Sequence, residues 1–231
     1  MQRADALTAG LTMKPDAPTL LEFVERFCLI RDDAGQWIPF RLWPAQKPLL
    51  AELPSQKQAV RLKARQLGLT WLVLAYALYS LIYRPGSTVL LFSRRDTEAQ
   101  DLLERLKEMH RHLPVSVQQT VTGDDNKHRW ELANGSKCLA FPCTVGDSYT
   151  ATLAVIDEAD LVPDLDKLLR SVKPTVDAGG QLVLLSKSNK SEPNSAFKRI
   201  YRAARSGENS YHHAFLPWQA RPDRTQAWYD R

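Results

Sequence analysis

Four short apolar-rich runs, each followed by polar residues and then by a helix-like stretch, restrict what this chain can fold into. The runs are QAVRLKA, STVLLFS, TLAVIDEAD and QLVLLSKS. Apolar runs of this length are typical of strands buried on both faces, and strands that alternate with helices join into parallel sheets covered by those helices. The sequence therefore predicts an α/β fold with a mainly parallel central sheet flanked by helices.

Helical patterns fill most of the chain between these runs. Apolar spacing or the absence of helix breakers predicts helices in LLEFVERFCLI, AQKPLLAEL, the run from Thr70 to Tyr83, DTEAQDLLERLKEMHRHL, DLDKLLRSVKPTV and SAFKRIYRAAR. Asp96 is the expected N-cap of its helix. Asn134-Gly135 lies between two apolar runs and predicts a hairpin. RDDAGQWIPFRLWP is turn-rich, and PWQARPDRTQAWYDR is polar.

Composition limits the class of protein without identifying it. A chain of 231 residues, 44% of them hydrophobic, suits one large domain. The net charge of +5 is compatible with a polyanionic partner but does not require one. Cys28, Cys138 and Cys143 lack metal-ligand spacing and are expected to be reduced thiols. No signal peptide is recognised, and LTWLVLAYALYSLIY is shorter than the roughly 20 residues of a membrane span, so we expect no membrane association.

KARQLGLTW, which starts at Lys63, looks like a phosphate-binding loop whose lysine stands in an unusual place. The common loop reads G-x-x-x-x-G-K-[ST], and its lysine neutralises the β- and γ-phosphates. Gly68 and Thr70 match the second glycine and the Ser/Thr, whereas Leu69 occupies the lysine position. Backbone N–H groups and a helix N-terminus attract phosphate without a lysine. Lys63 and Arg65 are the candidate cations, and the alternative is that Lys63 only ends a strand.

Two adjacent carboxylates, Asp157 and Glu158, follow the apolar part of LAVIDEAD. In α/β sheets ligands bind at the carboxyl ends of the strands. Asp157 and Thr70 are candidate Mg²⁺ ligands, since this ion takes one or two carboxylates together with phosphate oxygens. Glu158 can orient and deprotonate the water that attacks a γ-phosphate. The alternative is a capping cluster at the end of a strand.

LLSKSNK and FRLWPAQKPLL add two weaker signals. Ser186 and Ser188 follow a predicted strand and can sense a γ-phosphate through hydrogen bonds, unless they form an ordinary turn. Gln46 can pair with an adenine edge, and Trp43 or Phe40 can stack on a base, although a buried Trp more often belongs to a core. The motifs predict ATP and Mg²⁺ as cofactors, with ATP bound by Gln46, Lys63, Ala64, Arg65, Gln66, Leu67, Gly68, Leu69 and Thr70.

Taken together and in this order, the motifs resemble the large terminase subunit of tailed bacteriophages, the motor that packages viral DNA. The order is an adenine motif at Gln46, KARQLGLT, FSRRDTEAQ, the NGSKCLAF hairpin, LAVIDEAD and LLSKSNK. A loop reading x-x-R-Q-x-G-x-[ST], with its lysine at the start, looks like a terminase feature, whereas DEAD is shared with superfamily 2 helicases. The resemblance implies a RecA-like P-loop NTPase of the additional-strand catalytic glutamate (ASCE) class.

The resemblance also implies an assembly and a set of partners. Family members form a ring on the portal protein, usually of five chains, work with a small terminase subunit, and drive double-stranded viral DNA into the procapsid in the cytoplasm of the infected host. An isolated domain can also be a monomer. A neighbouring chain supplies an arginine to each site, and Arg129 is the candidate here, with Arg94, Arg95 and Arg111 as rivals. The expected catalytic set is thus Glu158, Lys63 and Arg129.

The resemblance divides the chain into a helical lead-in at 1–35, a P-loop ATPase domain at 36–220 and, at 221–231, the start of a linker. Family members also carry a nuclease domain, which we expect to be absent, so no nuclease activity is predicted. A superfamily 2 helicase fragment is one alternative, but it needs a second RecA-like domain. A non-catalytic nucleotide- or DNA-binding module is the other, and Glu158 beside Asp157 argues against it. The basic excess predicts salt-sensitive, sequence-independent DNA contact.

Overall fold

A computed structural model describes residues 17–143 and 149–230. Within these residues the strands are β1 (Leu29–Arg31), β2 (Trp37–Pro39), β3 (Gln58–Lys63), β4 (Thr88–Ser93), β5 (Val121–Asp125), β6 (Arg129–Leu132), β7 (Lys137–Pro142), β8 (Leu153–Asp157), β9 (Gln181–Ser186) and β10 (His212–Leu216). The α-helices are α1 (Leu20–Phe27), α2 (Gln46–Glu52), α3 (Leu69–Tyr83), α4 (Asp96–Arg111), α5 (Leu165–Val176), α6 (Ala196–Arg205) and α7 (Gln226–Tyr229). Short 3-10 turns lie at Leu53–Ser55, Ala159–Leu161 and Trp218–Ala220.

Eight strands form one sheet in the order β10-β3-β9-β8-β4-β7-β6-β5, and β1 pairs with β2 in a separate hairpin. Every pairing from β10 to β7 is parallel, whereas β6 runs antiparallel to both of its neighbours. The predicted, mainly parallel α/β fold is confirmed, as is the hairpin across Asn134-Gly135. Since β9 lies between β3 and β8, the three polar segments that follow these strands meet at one edge of the sheet.

The central strands are apolar because both faces of the sheet are covered. Alternate side chains enter two cores: Val89 and Leu91 of β4 pack with α1, α3 and α4, whereas Leu90 and Phe92 pack with α5 and α6. Helix α3 is apolar around its whole circumference, as expected of a helix enclosed between a sheet and other helices. This burial fixes the start of α3, and with it the preceding loop, against the carboxyl edge of the sheet.

The described part of the predicted lead-in packs into the same core as α3. Thr19 caps α1 in a capping box with Glu22, and Phe23 stacks at a tilt on Tyr79 and edge-on to Tyr83. Residues 1–16 of the lead-in lie outside the described residues. None of the helices in the described ranges combines the length and apolarity that a membrane span requires.

The structure corrects one predicted boundary. Asp96 is the first residue of α4 rather than its N-cap; Arg95 is the N-cap and makes no side-chain capping bond. The Asp96 carboxylate instead accepts a hydrogen bond from Gln100 Nε2 at 2.6 Å and lies 2.9 Å from the His128 ring. An acidic residue in the first turn still stabilises the helix dipole, so the composition predicted the helix even though the cap was wrong.

Candidate active site

The loop between β3 and α3 has the backbone shape of an anion-binding turn. Gln66 has a φ of 57° and Gly68 a φ of 65°, so two nearby residues adopt the left-handed conformation. A Cβ on Gly68 would lie 2.9 Å from Nε2 of Gln46, which leaves no room for a side chain there. Gly68 is thus needed both for its conformation and for the close approach of Gln46.

Five consecutive N–H groups of this loop have no acceptor among the described residues; they belong to Gln66, Leu67, Gly68, Leu69 and Thr70. The last of them enter the first turn of α3, where a helix carries partial positive charge. A cluster of free N–H groups at a helix N-terminus binds phosphate and other anions well. The loop can therefore bind phosphate through its backbone, as the sequence predicted.

Gln46 braces this loop from one side. Its Oε1 accepts a hydrogen bond from the Trp43 N–H at 2.9 Å, and its Nε2 donates to the Leu67 carbonyl at 3.0 Å. The residue is only 1% exposed, so its amide is occupied within the protein. Recognition of adenine by Gln46 stays a prediction, whereas its contact with the loop is a feature of the fold.

Asp157 and Thr70 come together as the expected metal ligands. The Thr70 hydroxyl donates a hydrogen bond of 3.1 Å to Asp157 Oδ2, and Asp157 is 7% exposed at the end of β8. Burial raises the pKa of the Asp157 carboxyl and the charge of Glu158 raises it further, whereas Lys63 opposes the shift. One hydroxyl and one buried carboxylate beside an anion-binding loop fit Mg²⁺, which takes few protein ligands and completes its shell with phosphate and water.

Glu158 is held by two lysines at the same edge of the sheet. Its Oε1 lies 3.6 Å from Lys63 Nζ, and its Oε2 lies 3.4 Å from Lys187 Nζ. The Ser186 hydroxyl lies 3.4 Å from Oε2 as well. Glu158 has a φ of 50°, an uncommon value for a residue with a side chain. Such strained residues concentrate at functional sites, and here the strained turn after β8 directs the carboxylate towards the two lysines.

Asp160, two residues further on, joins three segments. Its fully buried side chain lies 3.1 Å from Lys198 Nζ and accepts hydrogen bonds from the Asn189 N–H and the Ser195 hydroxyl. The Asp160 N–H in turn donates to Ser186 Oγ at 3.1 Å. The turn after β8 is thereby tied to the end of β9 and to the N-terminus of α6.

A cleft of about 820 Å³ opens in front of the loop. Lys63, Thr70 and the loop from Gln66 to Leu69 form its floor, and Phe40, Trp43 and Trp71 are among its aromatic walls. Lys63 lines this cleft, whereas Arg65 is exposed and does not. The volume suits a molecule of nucleotide size. Of the two candidate cations, the structure thus brings Lys63 to the carboxylates.

The other predicted residues lie away from this centre. Ser188 is exposed, whereas Ser186 is buried beside Glu158. Arg129 lies on β6, three strands from β8, or about 14 Å across the sheet. It pairs with Asp124 at 3.2 Å and with Glu131.

The rival arginines Arg94 and Arg111 pair with Glu98 and Glu104, respectively. Arg95 is exposed beside the start of α4. The supply of Arg129 or of a rival arginine to a neighbouring chain stays a prediction.

Sequence reasoning missed Lys187, Asp160 and two arginines near the C-terminal end of the described residues, Arg221 and Arg224. Lys187 and Asp160 lie inside quoted motifs, so their position was a usable signal. Arg221 and Arg224 lie about 155 residues after the loop that they contact, and nothing local marks them.

No protein-family model matches the chain. Solved structures do match it. A mutant of the large terminase ATPase domain of Thermus phage P74-26 aligns with a TM-score of 0.66 and 18% identity, over 83% of this chain and 87% of that chain. The HK97 bacteriophage large terminase aligns with a TM-score of 0.69 and 18% identity, over 93% and 46%. The large terminase of a thermophilic bacteriophage, in complex with ATP-γ-S, aligns with a TM-score of 0.64 and 13% identity, over 83% and 48%.

At these identities the similarity shows the fold, which is the P-loop NTPase fold that these ATPase domains share. The chain spans about half the length of the HK97 large terminase and of the thermophilic-phage large terminase that it matches. The shared fold agrees with the resemblance that the motifs indicated, and the sheet order with β9 between β3 and β8 is the additional-strand arrangement expected from it.

Proposed function

We propose that this chain is a Mg²⁺-dependent ATP hydrolase of the large-terminase type, whose turnover drives double-stranded DNA into a viral procapsid. The observation that carries the proposal is the meeting of the free N–H groups of the loop, the Thr70–Asp157 pair and Glu158 at one edge of the sheet. The solved structures support it, since a large terminase of the same fold is known in complex with ATP-γ-S and with ADP.

Each residue has a definite role in this proposal. The loop N–H groups hold the phosphates and Lys63 neutralises their charge. Thr70 and Asp157 hold Mg²⁺, which when bound neutralises charge that develops on the phosphate oxygens. Glu158 orients the attacking water and accepts its proton. In the free chain Lys63 is 3.6 Å from Glu158, so binding of phosphate would draw the lysine away and release one side of that carboxylate.

Ser186 and Asp160 connect this chemistry to the rest of the chain. Ser186 Oγ lies between Glu158 Oε2 and the Asp160 N–H, so a shift of Glu158 during turnover would reach β9 and α6 through hydrogen bonds. This coupling, the DNA substrate, a portal protein, a small terminase subunit, a ring of chains and the host cytoplasm all belong to the proposal. Their support is the shared fold and the motif order.

The test is Mg²⁺-dependent ATP hydrolysis measured over a series of protein concentrations. We expect turnover in the wild type, a loss of about a hundredfold or more in Glu158→Gln, and a strong reduction in Lys63→Ala. The exposed residues Glu208 and Lys167 provide matched controls, Glu208→Gln and Lys167→Ala, which should behave as the wild type. ATP binding without turnover in the wild type at every concentration would identify a binding module instead.

A further inference from the structure

We propose that Arg224 is a positioning residue for the phosphate loop, which it holds from the side opposite to the cleft. The inference rests on the proposed function, because it assumes that the loop binds phosphate. Arg224 lies just before α7, far from the loop in sequence, and is 8% exposed. Its guanidinium lies 4.4 Å from the ring centre of Trp228, so an aromatic face supports it.

The guanidinium of Arg224 donates two hydrogen bonds to the loop. Nη1 donates to the Arg65 carbonyl at 2.8 Å, and Nη2 donates to the Gln66 side-chain Oε1 at 3.0 Å. Arg221 adds a longer contact of 3.4 Å from Nη1 to the Gln66 carbonyl and is itself anchored on Asp33 at 3.0 Å. Charge-assisted bonds from a planar guanidinium fix orientation as well as distance.

These contacts determine where the N–H groups of the loop point. In a trans peptide the N–H of one residue points opposite to the carbonyl of the residue before it. Arg224, Arg221 and Gln46 donate in turn to the carbonyls of Arg65, Gln66 and Leu67. The N–H groups of the three following residues therefore point the other way, towards the cleft. No other described residue accepts from those N–H groups.

Arg224 also holds the residue that pays for this shape. Gln66 has a φ of 57°, which is unfavourable for a residue with a side chain, and Arg224 bonds both its side-chain oxygen and the preceding carbonyl. Without Arg224 the free loop would populate other conformations, and phosphate binding would first have to restore the competent one. The bound loop is ordered by the phosphates themselves, so the chemical step should be less affected.

The experiment compares Arg224→Ala, Arg224→Lys and the control Arg199→Ala with the wild type. Arg199 is a matched control because it also donates to a carbonyl, that of Asn194, and to a side-chain oxygen, that of Asp166, but on α6. Binding of Mg-ATP and of tripolyphosphate reports on the loop, kcat and KM separate binding from chemistry, and hydrogen exchange follows the amides of residues 65–70. Melting temperatures confirm that each variant is folded.

We expect Arg224→Ala to weaken binding of both ligands and raise KM by about tenfold, with kcat within about threefold of the wild type. Exchange of the loop amides should accelerate by a similar factor, and Arg199→Ala should change neither. Arg224→Lys should resemble Arg224→Ala, because an ammonium does not reproduce the planar fork. Full recovery in Arg224→Lys would reduce the effect to charge and overturn the proposal, as would unchanged binding and exchange in Arg224→Ala.

Hydrogen exchange separates this proposal from the proposed function. If the wild type binds neither Mg-ATP nor tripolyphosphate, the proposed function fails. Faster loop exchange in Arg224→Ala but not in Arg199→Ala would then still show that Arg224 orders the loop, and equal exchange would overturn that statement too.

Discussion

Asp160 is the single residue that the structure engages most heavily outside the phosphate loop. Its carboxylate is buried with the Lys198 ammonium at 3.1 Å, and the side chain of Lys198 is itself only 14% exposed. Removing one partner of a buried ion pair leaves the other charge without compensation, which costs about 3 kcal/mol or more.

We therefore predict that Asp160→Ala lowers the free energy of unfolding by about 3 kcal/mol in urea denaturation. Asp160→Asn keeps an acceptor for the Asn189 N–H and should cost less. The exposed pair of Asp166 with Arg199 supplies the control, since Asp166→Ala should cost about 1 kcal/mol or less. A loss in Asp160→Ala no larger than in Asp166→Ala would mean that the buried pair adds nothing to stability.

Single residues also show what the sequence could and could not predict about the site. Lys63, Thr70, Asp157 and Glu158 were predictable because each follows a strand whose apolar pattern is clear, and parallel strands end at one edge. Arg224 was not predictable, because only the three-dimensional path of the chain brings it to the loop.

Among the elements, α4 carries a buried histidine that makes its packing dependent on pH. His110 Nε2 accepts a hydrogen bond from the Gln119 N–H at 3.0 Å, and its ring lies edge-on to Trp130 of β6 at 5.0 Å. Burial, helped by nearby Arg111, lowers the pKa of His110 below its ordinary value of 6.5, against the opposing effect of the Gln119 contact. The folded chain thus favours the neutral ring.

The sign of the effect follows from proton binding. As the pH falls below about 6.5, the unfolded chain takes up a proton at this position before the folded chain does, so stability falls. We predict that the melting temperature of the wild type drops more between pH 7.5 and 5.5 than that of His110→Gln, which keeps an acceptor but cannot titrate. Parallel curves for the two proteins would exclude His110 as the cause.

The elements that the sequence missed share a physical reason. β10 reads HHAFL, is partly exposed and pairs on one side only, with β3, so it lacks the continuous apolar pattern of a central strand. β5 is exposed throughout and carries little apolar signal. β1 and β2 are three residues each within a turn-rich stretch. The central strands were predictable because burial on both faces dictates their composition.

At the scale of the whole molecule, the site has Lys63 and Lys187 at Glu158 but none of the predicted arginines among the described residues. If a neighbouring chain supplies Arg129, a chain with a damaged site can still donate its arginine. We predict that Arg129→Ala alone lowers ATP turnover by about a thousandfold in assembled protein. Mixing it with Glu158→Gln, itself inactive, should restore part of the turnover.

The same mixing experiment discriminates between the candidate arginines. Arg94→Ala, Arg95→Ala and Arg111→Ala are tested beside Arg129→Ala, and the variant that loses activity alone and recovers it with Glu158→Gln identifies the donor. Arg129 has to leave Asp124 and Glu131 to reach a neighbour, so its activity should also depend on salt. Failure of every mixture to recover would show that none of the four acts between chains.

The position of β3 between β9 and β10 has a consequence for the newborn protein. The strand that leads into the phosphate loop is synthesised early, yet its partners come much later: the contact from Arg61 to the His212 carbonyl spans 151 positions. At bacterial elongation rates this delay is roughly ten seconds. Until then β3 has two unpaired edges, so the emerging chain is most open to aggregation around the segment that later binds phosphate, and a ribosome-bound chaperone would protect it best there.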